Sequence, residues 1–152
     1  MAQTNYPPFE MQFKIPDRKD PVLYTRRFLA PKRLILLGCG YVAQSLSHFA
    51  SQLEFEVSAV DDRPSFANAH TMPDSKEIIC DSFKNAIRQL ELTEQDFIAI
   101  VTRGHKYDAD CIRTIYESGI HPAYIGLIGS RRRVAGLFLI QSIHRSALTS
   151  EL

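Results

Sequence analysis

The sequence predicts an open, doubly wound α/β fold with a parallel sheet of about five strands, preceded by a β-hairpin. Three observations favour this fold. From residue 31 onward, short apolar runs alternate with amphipathic helical segments, which is the order of right-handed βαβ units. Six of the seven glycines fall at the ends of these segments, where the chain turns. The 152 residues are enough to bury one sizeable core, so we expect a single main domain.

The first thirty residues are set apart by proline, because four of the eight prolines lie there. Residues Phe9–Ile15 alternate apolar and polar side chains, the period of a half-buried strand. A turn containing two prolines and a second strand over Val22–Ala30 follow. We therefore predict an N-terminal hairpin or arm over residues 1–30 and the main domain over residues 31–152.

The main domain begins with a strand that is apolar on both faces, as is typical of a central parallel strand. The next segment carries four apolar residues on one helical stripe, which is typical of a face that packs on a core. Asp81 or Ser82 is expected to cap the second helix, and Gly119 to end the third. The predicted strands are Leu34–Leu37, Phe55–Val60, Glu77–Cys80, Phe97–Val101 and Ala123–Gly126. The predicted helices are Tyr41–Leu53, Ser82–Leu92 and Asp108–Ser118, with a fourth starting at Arg131, and the stripe is Val42, Leu46, Phe49 and Leu53.

Charge and composition exclude several classes of protein. Eighteen basic and seventeen acidic residues leave a net charge of +1, so nothing global predicts binding to nucleic acid or to an anionic membrane. No apolar run approaches the ~18 residues that span a bilayer, and the N-terminus has no signal-peptide pattern. Three widely spaced cysteines form neither a disulfide framework nor a zinc site. These features predict a cytoplasmic protein without a metal site.

The sharpest motif is Gly-Cys-Gly-Tyr-Val-Ala at residues 38–43. It fits the dinucleotide-binding pattern of a Rossmann-like fold, G-x-G-x-x-A between a strand and a helix. The first glycine permits a tight turn, the second lets a pyrophosphate approach the backbone, and the helix start supplies N–H groups. The alternative is a tight turn that binds no ligand. The candidate cofactor-binding residues here are Gly38, Cys39, Gly40, Tyr41 and Val42.

An acidic residue at the end of the second strand completes this pattern. Asp61 stands there, 23 residues after Gly38, and its carboxylate is predicted to accept both adenosine ribose hydroxyls of NAD. Asp62 is a second candidate. Arg63 indicates the opposite preference, for the 2′-phosphate of NADP. The alternative interpretation of the two aspartates is a turn with a helix cap.

Two further loops follow the fourth and fifth strands, and a parallel sheet brings them to the edge that holds the glycine loop. Gly104, His105 and Lys106 lie in the first loop, and His105 is the single candidate for catalysis, as a group that moves a proton. Asp108 is explained equally well as a helix cap. In the second loop, arginines at a helix start form an anion site, or else a solvated basic turn. The candidates there are Gly129, Ser130, Arg131 and Arg132.

Cys39 lies inside the glycine loop at a helix start. That position predicts a lowered thiol pKa, which would make Cys39 the most reactive of the three cysteines. The favoured alternative is that a small residue merely fits the turn.

Together these segments resemble the Rossmann-like domain of the XdhC/CoxI family, over roughly residues 28–138. The glycine motif, the strand end Val60–Pro64, the loop Gly104–Asp108 and the segment Tyr124–Arg132 occur in the order found in that family. The resemblance implies an accessory protein of molybdenum hydroxylases such as xanthine dehydrogenase and carbon monoxide dehydrogenase. Such proteins are implicated in binding the molybdopterin-type molybdenum cofactor, supporting its sulfuration and delivering it to the apo-enzyme.

The ligand is then expected to be NAD(P) or the molybdenum cofactor, and the partners to be the hydroxylase apo-enzyme and a cofactor sulfurase. The family's separate N-terminal domain and its continuation after the last helix are missing, so we expect a domain truncated at its C-terminus. The hairpin is expected to pack on a neighbouring subunit or on the exposed sheet edge, giving a homodimer. A non-catalytic accessory protein is the leading interpretation. The alternatives are an NAD(P)-dependent oxidoreductase, with His105 as its acid–base group, and a regulatory NAD(P)-binding domain.

Overall fold

The computed structural model describes residues 9–14, 23–28 and 31–129. The chain divides into two compact units, Met1–Pro31 and Lys32–Leu152. In the first unit, β1 (Phe9–Lys14) and β2 (Leu23–Phe28) pair antiparallel. The predicted hairpin is confirmed.

The second unit contains a parallel sheet with helices on both faces. Its strands are β3 (Arg33–Leu37), β4 (Glu56–Asp61), β5 (Glu77–Cys80), β6 (Phe97–Ile100) and β7 (Tyr124–Leu127). Its helices are α1 (Tyr41–Gln52), α2 (Phe83–Gln89) and α3 (His105–Glu117). The strand order β5-β4-β3-β6-β7 reverses between β3 and β6, which confirms the predicted doubly wound fold. Within the described residues, no helix is both long enough and apolar enough to cross a membrane.

The sheet separates two apolar clusters, because successive side chains of a strand point to opposite faces. Leu34 and Leu36 of β3 pack in the cluster that contains Ala43 of α1. Ile35 and Leu37 pack in the other cluster, with side chains of α2 and α3. The core therefore lies on both faces of β3, as expected for a central strand.

Three of the four large apolar residues in the predicted stripe of α1 do not face the sheet. Val42, Phe49 and Leu53 are 53%, 63% and 72% exposed. The side chains that α1 buries are instead small: Ala43, Ser47 and Ala50. Small residues let the helix axis approach the sheet closely, whereas a row of large ones would hold it away. The predicted buried face of this helix was wrong for these three exposed residues, whereas Leu46 packs against the core.

The helix after β6 begins earlier than predicted. Gly104 is the N-cap of α3, so His105 and Lys106 form its first turn and do not lie in an open loop. Asp108, predicted as a cap or first-turn acid, is the acidic residue of that first turn. Ser82 caps α2 by accepting the N–H of Asn85 at 3.3 Å, as predicted. The predicted fourth helix lies outside the described residues.

Candidate functional site

Gly38 is required by the fold itself. It begins the glycine loop between β3 and α1 with a φ of +113°, a left-handed conformation that favours glycine. A Cβ at this position would lie 2.6 Å from the carbonyl oxygen of Val101. The N–H of Gly38 also donates to the carbonyl of Val60 at 2.8 Å. The loop is thus held between the ends of β4 and β6, whatever it binds.

Gly40 has no such structural reason to be glycine. Its φ of −69° is ordinary, and a Cβ added there would meet nothing within 4 Å. Gly40 is the N-cap of α1, where no side chain caps the helix and no acid lies in the first turn. Open space over uncapped N–H groups and the positive end of a helix is what a phosphate requires.

A second helix start lies across the sheet. β6 is the neighbour of β3, and α3, which follows β6, also begins at a glycine without a side-chain cap. Since α1 and α3 pack on opposite faces, their N-termini flank the point where the strand order reverses. In doubly wound sheets, ligands bind at this point.

Asp61 ends β4 where the sequence places it, but its carboxylate is buried, with the side chain 1% exposed. Oδ2 accepts the backbone N–H of Cys39 at 2.9 Å. Arg63 donates to Oδ1 from Nε at 2.8 Å and to Oδ2 from Nη2 at 2.9 Å. In this arrangement Asp61 ties the glycine loop to the end of β4. Its predicted ribose contact stays a prediction, and it would require Arg63 to give up this pair.

Two arginine side chains lie at the same edge. Arg63 lies 3.8 Å above the ring of Phe66. Arg103 donates to both carboxylate oxygens of Asp62, at 2.5 and 2.9 Å, and stacks on the Tyr107 ring at 4.0 Å. The hydrogen bond to Asp62 raises the pKa of Arg103, and the same bond lowers the pKa of Asp62. Both guanidinium groups are therefore fixed and charged.

Sequence reasoning missed Arg103, although a signal was present. Arg103 stands in Thr102-Arg103-Gly104, directly beyond the fourth strand. A basic side chain at that place reaches the carboxyl edge of the sheet, as an acid at the end of the second strand does.

Asp108 supports the second loop of the edge. Its side chain is fully buried, and it accepts the hydroxyl of Thr102 at 2.5 Å. The N–H of Gly104 donates in turn to that hydroxyl oxygen at 3.3 Å. Asp108 thus shapes the start of α3, in the way that Asp61 shapes the glycine loop.

The remaining predicted site residues do not share one environment in the structure. His105 is exposed at the start of α3, and among the described residues no hydrogen bond or ion pair holds its ring. Lys106 lines a cleft of about 460 Å³ between α2 and α3, together with Asp62 and Lys84. Tyr41 is 83% exposed. Gly129 is exposed after β7, whereas Ser130, Arg131 and Arg132 lie outside the described residues.

The thiol of Cys39 is fully buried. Burial first, and then the charge of Asp61, raise its pKa from 9.0 to about 12. Desolvation outweighs the effect of the helix start, so the predicted low pKa of Cys39 was wrong. Cys39 is a small residue that fits the turn. Within the described residues, no group of three or more His, Cys, Asp or Glu side chains is arranged to hold a metal ion.

Thiol labelling should therefore select Cys80, which is exposed. We expect iodoacetamide near pH 7 to modify Cys80 in the folded protein and to reach Cys39 and Cys111 only after unfolding, because burial raises the pKa of both. Peptide mass spectrometry of alkylated protein measures each site. A Cys80→Ser chain, which should stay unlabelled while folded, is the control. Rapid labelling of Cys39 in that chain would contradict the assignment.

A doubly wound parallel sheet with a glycine loop at its reversal point defines a Rossmann domain. Residues 34–147 match the family model of the XdhC Rossmann domain. The chain belongs to this family, which confirms the resemblance that its motifs indicate.

A solved structure is similar to this chain as well. A xanthine dehydrogenase from Bacillus halodurans superposes with a TM-score of 0.72 at 30% sequence identity. The alignment covers 83% of this chain and 37% of that protein, so the chain matches a little over a third of its length. No curated protein matches the chain.

Proposed function

We propose that the chain acts as an accessory protein of a xanthine dehydrogenase-type molybdenum hydroxylase, and that its glycine loop binds the phosphorylated pterin of the molybdenum cofactor. Membership of the XdhC family and similarity to a protein called a xanthine dehydrogenase support the association. The observation that carries ligand binding is Gly40, where glycine leaves open space that the fold itself does not need.

The residues at the edge fit an anionic ligand. The start of α1 would hold the phosphate through backbone N–H groups. Arg63 and Arg103, whose side chains are 32% and 33% exposed, would face the remaining polar groups of the ligand. His105 would supply an imidazole beside them. Arg131 and Arg132 remain candidates from the sequence. This role is binding and delivery, without turnover of the cofactor.

An NAD(P)-binding domain is the second candidate, favoured by the fit of the glycine loop to the dinucleotide pattern. Because Arg63 occupies the carboxylate of Asp61, the guanidinium group of Arg63, which is 32% exposed, stands where the ribose acceptor was predicted. We therefore expect any dinucleotide that binds to be NADP, in contrast to the NAD preference inferred from Asp61 alone. Titration with NADH and NADPH, followed by nicotinamide fluorescence, distinguishes the two nucleotides.

Substitutions at Gly40 and at Gly38 should distinguish the effect on ligand binding from the effect on folding. We expect Gly40→Val to fold, because a Cβ there meets nothing within 4 Å, with only the small loss of stability that a poorer N-cap residue causes, and to lose about tenfold or more in ligand affinity, equal to about 1.4 kcal/mol. Gly38→Ala should instead destabilise the fold through its contact with Val101. Gln52→Val, at the far end of α1, is the control for adding an apolar side chain. Native affinity in Gly40→Val would contradict phosphate binding at this loop.

Cofactor delivery is tested with the complete chain from molybdate-replete cells. We expect the native protein to carry molybdenum, measured by plasma mass spectrometry, and to activate a molybdenum-free xanthine dehydrogenase-type apo-enzyme. His105→Ala and Gly40→Val should reduce both readouts. Folded native protein that neither carries molybdenum nor activates the enzyme, while binding NADPH, would support the nucleotide-binding alternative.

A further inference from the structure

Helix α1 presents an uncharged apolar surface. Its sequence, Tyr-Val-Ala-Gln-Ser-Leu-Ser-His-Phe-Ala-Ser-Gln, contains no Asp, Glu, Lys or Arg. Its one titratable imidazole, His48, lies 3.1 Å from the carboxylate of Asp74. An exposed helix normally directs charged residues to solvent. The large apolar residues of α1 take that place instead. We call the row Val42, Leu46, Phe49 and Leu53 the α1 seam.

The spacing within the α1 seam is that of a helix–helix contact. Its members follow each other at intervals of four, three and four residues, which are the d, a, d and a positions of a heptad pattern. Val42, Phe49 and Leu53 are more than half exposed, and Leu46 is half-buried at the edge of the core. The seam therefore offers apolar side chains that can interdigitate with a facing helix.

We infer that a second copy of this chain packs antiparallel on the α1 seam. A twofold axis between Leu46 and Phe49 would place Val42 of one copy opposite Leu53 of the other, and Leu46 opposite Phe49. Twofold symmetry brings identical surfaces together, so any charged residue in the seam would lie near an identical charge of the other copy. A helix without formal charge avoids that repulsion, and this feature favours a copy of the chain as the occupant.

The exposed area of the α1 seam is of the size that a weak, reversible dimer buries. Val42, Phe49 and Leu53 are 53%, 63% and 72% exposed. Side chains of this size present roughly 350 Å² per copy and about 700 Å² between two copies, which is the range of weak associations. The antiparallel arrangement would leave the two glycine loops about 22 Å apart along the helices, given the rise per residue of an α-helix. Dimerisation is thus independent of ligand binding at either loop.

Sedimentation equilibrium of the complete chain tests the dimer. We expect the native chain to dimerise, and Phe49→Glu and Phe49→Lys each to be folded monomers, because two like charges would face each other near the axis. An equimolar mixture of the two variants should dimerise again. Tyr116→Glu on α3, where the native side chain is 65% exposed, is the matched control and should stay dimeric. If Phe49→Glu does not fold, Leu53→Glu replaces it; this variant would place a charge opposite the apolar Val42 of the other copy and should be a monomer.

Cross-linking tests the orientation. In a Cys80→Ser background, a mixture of Val42→Cys and Leu53→Cys chains should form disulfides between unlike chains on oxidation. Disulfides between like chains would indicate a parallel pair and overturn the arrangement. A monomeric native chain would overturn the proposal, and so would a dimer that Phe49→Glu leaves intact, since the latter assigns dimerisation to another surface.

Discussion

Asp96→Ala should lower the free energy of unfolding by about 3–5 kcal/mol, because it leaves a partly buried guanidinium without its partner. Arg33 at the start of β3 donates to Asp96 from Nε at 2.8 Å and from Nη2 at 2.7 Å. The two side chains are 17% and 3% exposed. Asp96 also accepts the N–H of Thr93 at 2.7 Å. Removing the carboxylate thus leaves two groups without their acceptor.

The position of the Arg33–Asp96 pair explains why its loss should destabilise the whole domain. Arg33 also donates to the carbonyls of Leu90 and Glu91, so it joins the central strand to the turn that leads into β6. Chemical denaturation followed by circular dichroism measures the loss. Glu56→Ala is the control, because its pair with Lys76 is 41% and 66% exposed, and such surface pairs contribute about 1 kcal/mol or less. Equal losses in the two variants would contradict the role given to Asp96.

The sequence was sufficient to predict the fold because local patterns and global topology agree in this chain. The strand Glu77–Cys80 has the predicted bounds, and the glycine motif lies between a buried strand and a helix. Each of these features depends on residues close together in the sequence. The alternation of apolar runs with helices also predicts a parallel sheet built of right-handed βαβ units, whereas the strand order comes from the structure.

The orientation of α1 could not be predicted in the same way. Apolar periodicity assigns the largest apolar residues to the core, and it selected the α1 seam. Which face of α1 is buried depends instead on the distance between the helix and the sheet. That distance is set by the small residues Ala43, Ser47 and Ala50. The same limit applies to Cys39, whose burial depends on neighbours distant in sequence.

The roles of the two adjacent acids also depend on the folded structure. Asp61 and Asp62 are equivalent candidates in the sequence, but Asp61 is the last residue of β4 and Asp62 lies beyond the end of the strand. Their side chains are 1% and 28% exposed. Asp61 contacts Cys39 and Arg63 by hydrogen bonds and lies 3.9 Å from Arg103, whereas Asp62 accepts two hydrogen bonds from Arg103. Sequence spacing places both acids at the carboxyl edge of the sheet, but it does not distinguish the contacts that the two side chains make.

That difference gives the sharpest test of the site. We expect Asp61→Ala to lower the free energy of unfolding by about 3–5 kcal/mol, since it leaves Arg63 and the buried N–H of Cys39 without their acceptor. Asp62→Ala should cost at most about 1 kcal/mol, because its pair with Arg103 is open to solvent. Urea denaturation of the two variants beside the native chain measures both losses.

The same variants decide what Asp61 does for the ligand. If Asp61 holds the glycine loop, its loss should weaken phosphate binding and NADH or NADPH binding alike, because the displaced loop serves every ligand. A residue that contacts ribose would behave differently: Asp61→Ala would keep native stability and lose affinity for NADH alone. Asp62→Ala controls for the removal of one negative charge at this edge. A stable Asp61→Ala chain with a selective loss of NADH binding would therefore restore the ribose contact and remove Asp61 from the support of the loop.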